Sequence, residues 1–317
     1  MASSKALNVR FQPDTRTSGP GRSRIANLLQ ARGGSKCLLS PCKALMRRKA
    51  FRSIDHVVIR VDDARPLFRL LTERLGLPVV WPLQEAAFAT FGWVGIGNTN
   101  LEIWASANNA DIPANVPLPL VHGFALEPQD LQSDINGLSL QGVNCKPARS
   151  YQTLNPEGEL RTNFTNSVVL DVSSDSCCIF FCAWGTEAPI TPWENGLQTS
   201  ERRVRETKAF LACGGGALGV VGLREIRMAV PHLSSAREKW GILTASDPDA
   251  LLLAPGITLQ LEQGEHHVIS ELTLAVRDMH AASAALASID VAASSTPRGL
   301  LLSQESTGGL RFQLIQA

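Results

Sequence analysis

The stretch DHVVIRVDDARPLFRLL, residues 55–71, decides the fold. Its first half is apolar and β-branched at Val57, Val58, Ile59 and Val61, as a buried strand would be. Its second half puts Leu67, Phe68, Leu71 and Leu75 on one helical face, with Arg65, Arg69 and Glu73 elsewhere. Gly76-Leu77-Pro78 stops that helix. Three strand-like pieces follow at 79–82, 88–94 and 100–104, and Gly95-Ile96-Gly97-Asn98 turns the last pair. The unit reads β-α-β-β-β.

The same order recurs three times. VHGFALEPQDLQSDIN (121–136), REIRMAVPHLSSAREKW (224–240) and SELTLAVRDMHAASAAL (270–286) each open as a strand followed by a helix. Aligned strand starts pair His56 with His122, Glu225 and Glu271, and five residues later come Val61, Glu127, Val230 and Val276. Repetition of this grain marks stacked structural units. The expectation is an α+β protein of about four tandem βαβββ modules forming two curved mixed sheets. The first module pair spans 53–184 and a divergent second pair spans 223–317, its last module short enough to lack a strand. Between them, 185–222 forms a connector with a charged helix, Glu201 to Leu211, and a glycine hinge, Gly214-Gly215-Gly216. That triplet lacks GK[ST] and follows a helix, so it is a helix end rather than a phosphate loop.

Composition bounds the function. The chain has 317 residues, 44% hydrophobic and 19% charged, which suits a sizeable core. No apolar run approaches the ~20 residues of a membrane span. The net charge of +1 conceals an asymmetry, because residues 1–52 hold twelve of the 30 Lys and Arg but one of the 29 acids, Asp14. The remainder therefore carries 18 basic and 28 acidic residues. An Arg- and Ser-rich, acid-poor leader has the make-up of a transit peptide for a mitochondrion or plastid; without that address the chain is expected in the cytoplasm. A plain extension and a basic arm for a polyanion are the other readings. Phe11 alone interleaves aromatic character before Phe51, which argues against nucleic acid as a partner apart from this leader. Seven cysteines without a CxxC fit a reducing compartment, and Cys177, Cys178 and Cys182 sit in an apolar run as small hydrophobes.

The segments IDHVVIRVDD (54–63), TERLGLPVVW (72–81) and NLEIW (100–104) resemble the first module of the vicinal-oxygen-chelate (VOC) superfamily. VHGFALEP is similar to the opening of a second module, and GGGALGVVGLREIRMAVP (214–231) resembles the divergent C-terminal half of longer glyoxalase-like proteins. The resemblance covers about 53–317 and includes glyoxalase I, bleomycin-resistance proteins and extradiol dioxygenases. It implies a metal held by ligands from the first and last strand of each module. Carried over, it nominates His56, Glu102 and His122, with a fourth position near Ala183, where a carboxylate would be expected. Two imidazoles and a carboxylate suit Fe, Mn, Ni or Zn and leave positions open, so the ion can act as a Lewis acid toward two adjacent oxygens.

The bland readings stand beside these. His56 can be a core histidine, Glu102 an outward edge residue, and His122 a packing residue near a turn. Glu127 would be a general base near the mouth. Trp81, Trp93, Trp104 and Phe124 line the bowl or are plain core. The equivalent C-terminal positions, Glu225, Thr258, Glu271 and Arg311, lack a histidine, so this half serves packing, substrate enclosure or homodimer contact. His266 and His267 are adjacent in a strand and point to opposite faces. The expected function is a metal-dependent glyoxalase-like enzyme, a lyase, isomerase or dioxygenase, acting on a small-molecule substrate with vicinal oxygens. The alternatives are a metal-free binding protein and a structural subunit that docks through its leader.

Overall fold

The computed structural model describes residues 48–108, 112, 115–155, 157–186 and 199–317. The leader, bar its last few residues, and the first part of the connector lie outside them. No helix among the described residues is long and apolar enough to cross a membrane.

The first module runs β1 (Phe51–Arg60), α1 (Ala64–Arg69, continued by a π-helical turn over Leu70–Arg74), β2 (Val79–Glu85), β3 (Ala89–Gly95) and β4 (Asn100–Ser106). Asp63 caps α1 by accepting from the Arg65 amide. The second runs β5 (Leu120–Pro128), α2 (Leu131–Leu140), β6 (Arg149–Leu154), β7 (Leu160–Val168) and β8 (Cys178–Trp184). The connector helix α3 (Thr199–Ala212) precedes the third module, β9 (Val220–Val230), α4 (Leu233–Thr244), β10 (Leu251–Ala254) and β11 (Ile257–Gln263). The fourth is β12 (Val268–Val276), α5 (Met279–Ser288), β13 (Ala293–Thr296), β14 (Gly299–Leu302) and β15 (Phe312–Gln316). The missing strand is therefore in the third module, not in the fourth as expected. The short run Ala293–Thr296 is Ser- and Thr-rich and exposed, so it lacked the apolar signal that marks a strand.

The N-terminal sheet has the order β2-β3-β4-β1-β5-β8-β7-β6, with β1/β4 and β5/β8 parallel and the rest antiparallel. The C-terminal sheet has the order β10-β11-β9-β12-β15-β14-β13, and one pairing, Ile269 with Val121, joins the two. Both are mixed and unclosed. On the N-terminal sheet, Val57, Ile59, Leu101, Ile103, Ile179 and Phe181 share one buried core with Leu67, Phe68 and Leu71 of the first module's helix. Period-two alternation sends the intervening residues to the opposite face, where only the connector helix reaches among the described helices that contact this sheet.

The glycine triplet is a packed corner. A Cβ on Gly216 would lie 2.1 Å from the Leu75 carbonyl, and the next residue, Ala217, donates to that carbonyl at 2.7 Å. Positive φ at Gly214, Gly215 and Gly216 lets the chain reverse there.

Candidate active site

Residues paired across strands share a face, so the register maps this opposite surface. Trp81 pairs with Trp93, which pairs with Glu102, and Phe91 pairs with Trp104. His56 pairs with Asn100 on one side and Ala125 on the other, and Ala125 pairs with Phe180. Trp184 pairs with Phe164, and Phe164 with Tyr151. The result is an aromatic wall. Trp81 and Trp93 rings lie 5.7 Å apart, Trp93 and Trp184 5.9 Å, Trp184 and Phe164 5.6 Å, and Phe91 and Trp104 5.1 Å. These are normal contact distances for tilted and edge-on rings. Phe124, expected in this wall, instead packs 5.9 Å from Trp240 on the helix side.

At the floor stands His56, 4% exposed, with its ring 4.4 Å from that of Trp93. Its Nδ1 lies 2.8 Å from Asp55 Oδ2 and its Nε2 lies 3.3 Å from Glu102 Oε2. Adjacent strand residues normally point to opposite faces, but β1 carries a bulge here. Ile54 pairs with Leu126 and His56 with Ala125, which leaves Asp55 as the extra residue. A bulge re-aims one side chain, and this one puts the carboxylate beside the imidazole of its own neighbour.

Asp55 is fully buried and saturated. Oδ2 also accepts from Trp184 Nε1 at 3.0 Å, while Oδ1 accepts from Arg203 Nη2 at 3.0 Å and from Arg202 Nη2. Both arginines come from the connector helix. Arg202 lies over the Trp184 ring at 4.7 Å and pairs with Glu206 at 3.6 Å; Arg203 reaches Glu206 at 3.4 Å and Glu127 at 3.7 Å. Burial pushes the Asp55 carboxyl up, but Arg202, Arg203 and His56 outweigh it and hold the group well below the usual range. Burial likewise pulls His56 down, yet its hydrogen bonds and charge contacts with Asp55 and Glu102 raise it from 6.5 to about 9. His56 is an imidazolium at neutral pH.

The nominated residues separate into groups. His56 and Glu102 come together; the first is neither simple core nor backbone-bonded, and β4 is an inner strand between β1 and β3. His122 sits at a bulge of β5, where Val58 pairs with Gly123 and Ile59 with Val121. It does not join His56 and Glu102 in a metal-holding group, and no three His, Cys, Asp or Glu side chains do so among the described residues. Ala183 pairs with Thr165, on the face opposite the wall, so Cys182 and Trp184 are the β8 residues that face the floor. Glu127 stands beyond Arg203, accepts from Ser53 Oγ at 2.8 Å, and lines a polar cavity of 260 Å³ with Ser53, Asn98, Asn100, Arg203 and Glu206.

A divalent ion does not fit this arrangement. His56 Nε2 is held by Glu102, no third ligand converges on the pair, and the fourth β8 position presents an indole N–H donor. Arg202 and Arg203 already bond Asp55, so a further cation would be added beside two guanidiniums.

In the C-terminal sheet the equivalent positions form an ionic cluster. Glu225 pairs with Arg298 at 2.8 Å and Arg227 at 3.3 Å, and Glu271 with Arg311 at 3.3 Å. The wall's counterpart there is polar.

No family model and no curated protein sequence matches the chain. Solved structures do. Homoprotocatechuate 2,3-dioxygenase from Arthrobacter globiformis matches with a TM-score of 0.50 and 11% identity, over 84% of this chain and 80% of that one. The chain has the vicinal-oxygen-chelate fold. A Mn(II)-bound glyoxalase from Novosphingobium aromaticivorans (TM-score 0.49, 12% identity, 84% and 82% coverage) is similar to this chain. So is a triple mutant of 4-hydroxymandelate synthase from Streptomyces coelicolor (0.49, 15%, 84% and 93%). The likeness to the Arthrobacter enzyme is one of fold alone, and the activity must be argued from the site.

Sequence reasoning had nominated His56 and Glu102, as metal ligands, and had named Trp81, Trp93 and Trp104 as bowl lining or plain core. It missed Asp55, Trp184, Arg202 and Arg203. Asp55 needed the bulge, and α3 lies 147 residues from Asp55 in sequence, with no local signal of where it docks.

Proposed function

We propose that this VOC-type protein is an enzyme whose N-terminal bowl binds a small, flat substrate carrying adjacent oxygens, with His56 as proton donor. One observation carries the reading: a histidine held between two carboxylates at the floor of an aromatic wall. Asp55 takes the Nδ1 proton, so the Nε2 proton is the one presented. A substrate oxygen entering between His56 and Glu102 would accept that proton and leave Glu102 as a free base beside it. An acid and a base one hydrogen bond apart suit proton transfer at carbon next to a carbonyl. Glu102 would take the carbon-bound proton while His56 protonates the developing enolate oxygen. The aromatic rings would hold the substrate plane and exclude water. The reaction class is isomerisation or elimination of a hydroxy-carbonyl compound.

The test is C–H exchange. The full chain would be incubated in D₂O with a panel of aromatic 2-hydroxyketones and 2-keto acids and followed by proton NMR, beside His56→Gln and Glu102→Gln. Catalysed exchange lost by about 100-fold or more in both variants is expected, the scale of a deleted acid or base. Metal analysis of the same samples provides the contrary outcome. Asp55 stands where a metal-ligating histidine carries its outer carboxylate. Stoichiometric Fe, Mn, Ni or Zn, abolished by both substitutions, would overturn the proton-transfer reading and restore a metal centre.

A further inference from the structure

We infer that Arg202, which belongs to the connector helix and to no module, is a positioning residue that completes the His56 site. The inference rests on the reading of that site given above. Arg202 is 3% exposed, yet most of the described side chains of its helix are exposed. Burying a guanidinium costs several kcal/mol and is repaid only by good pairing, so a leucine would have docked the helix at less cost. The position is explained by what the side chain touches. It bonds Asp55 Oδ1, stacks on Trp184 and pairs with Glu206.

The two oxygens of Asp55 have separate duties. Oδ1 faces the helix and takes Arg202 and Arg203, while Oδ2 faces the floor and takes His56 Nδ1 and Trp184 Nε1. The terminal torsion of an aspartate is broad and roughly two-fold, so nothing intrinsic to Asp55 fixes which way Oδ2 points. Arg203 helps, but it is partly exposed and shared with Glu127, Glu206 and the Ile54 carbonyl. Arg202 touches both the carboxylate and the indole that bonds its other oxygen. Its Nη2 bond and its stack on Trp184 hold Asp55 in place, Asp55 holds the imidazole, and the imidazole presents Nε2 toward Glu102. The catalytic floor is thus assembled from the first module pair and the connector together.

The experiment is a double-mutant cycle in the full chain between Arg202→Met and Asp55→Asn, with Arg202→Lys and Arg202→Ala alongside. Readouts are kcat and KM for exchange, and the ¹⁵N shifts of the His56 ring. We expect Arg202→Met to lower kcat by about 100-fold, the scale of a small misplacement, with KM nearly unchanged. Lysine should not rescue, because it has neither fork nor planar stack. Millimolar guanidinium should partly restore Arg202→Ala and leave Arg202→Met unaffected. The double variant should be no worse than Asp55→Asn, since both act through one contact.

Additive losses in the cycle, or an Arg202→Met protein with parental kcat and parental His56 shifts, would overturn the inference. Should Arg202→Met fail to fold, the double variant removes both charges and, with Arg202→Lys, provides the comparison. Should the parent catalyse no exchange, the function proposed for the site fails. The His56 shifts of Arg202→Met against parent then still decide whether Arg202 positions the ring.

Discussion

His56 ties stability to pH in a direction opposite to most buried acids. Its pKa is raised in the folded chain from 6.5 to about 9, so its contribution is complete below 6.5 and is lost as pH climbs through 9. Asp55 works the other way: held well below 3.8 by the arginines, it stabilises above that value and fails only in acid. Lys49 opposes His56 at the alkaline end, because burial lowers it from 10.5 to about 8 and folding is then penalised less as pH rises. The prediction is therefore a difference. Between pH 7 and 9.5 the urea midpoint of the parent should fall further than that of His56→Gln; parallel curves would mean that His56 is not charged at neutrality. A second prediction concerns the carboxylate alone. Asp55→Asn removes the carboxylate at the centre of a buried charge network, which Arg202, Arg203 and His56 all contact, so it should cost about 3–5 kcal/mol in denaturant unfolding. Asp55→Asn together with Arg202→Met should recover part of that loss.

Bulges are the element-level device that builds the floor. The first residues of β1, β9 and β12 skip register at Asp55, Arg224 and Ser270, each one residue before the aligned positions His56, Glu225 and Glu271, and β5 skips at His122 itself. Gly123 follows directly. Its φ is +145°, and a Cβ there would stand 1.9 Å from the Cys178 carbonyl, because β8 crosses closely at that point. Gly123→Ala should therefore lower the urea midpoint by an amount equivalent to several kcal/mol, through both the forbidden contact and the backbone strain. A near-neutral result would show that β5 and β8 can part. The same geometry separates what was legible in the sequence from what was not. Strand-helix order and aligned starts follow from period and repetition, which are local, while His56 and Glu102 were nominated by the family resemblance. Asp55 reads as a residue facing away from His56, and only the bulge reverses that. Ala183 was one residue from the strand register that brings Cys182 and Trp184 inward, a slip that flips every side chain. β13 is polar and short, and Arg202 depends on where a helix docks, which no local spacing records.

At the scale of the molecule the two module pairs are coupled well beyond their single strand pairing. Asn98, in the first module, exchanges two 2.8 Å hydrogen bonds with the backbone of Leu223 in the third. Lys239 of α4 donates to the Gly142 carbonyl at 2.6 Å and pairs with Asp171 at 3.7 Å. Ser176 donates to the His267 carbonyl at 2.8 Å, and Ala217 to that of Leu75 at 2.7 Å. Trp240 is the centre of this seam. It is fully buried, projects from the third module, and packs on Phe124, whose strand pairs with β1 and so backs the His56 floor. Units joined by this many contacts should unfold as one, and removing the indole should be felt by both. Trp240→Ala creates a large cavity and should cost about 3–5 kcal/mol. For a compact unit of this size that corresponds to a fall of roughly 10 °C in Tm. Differential scanning calorimetry provides the check. A single transition moving down as one peak, with the aromatic wall's near-ultraviolet circular dichroism lost at the same temperature, is expected. Two resolved transitions, with the wall's signal unmoved by Trp240→Ala, would show instead that the active-site sheet stands alone and that the polar C-terminal sheet contributes nothing to holding it.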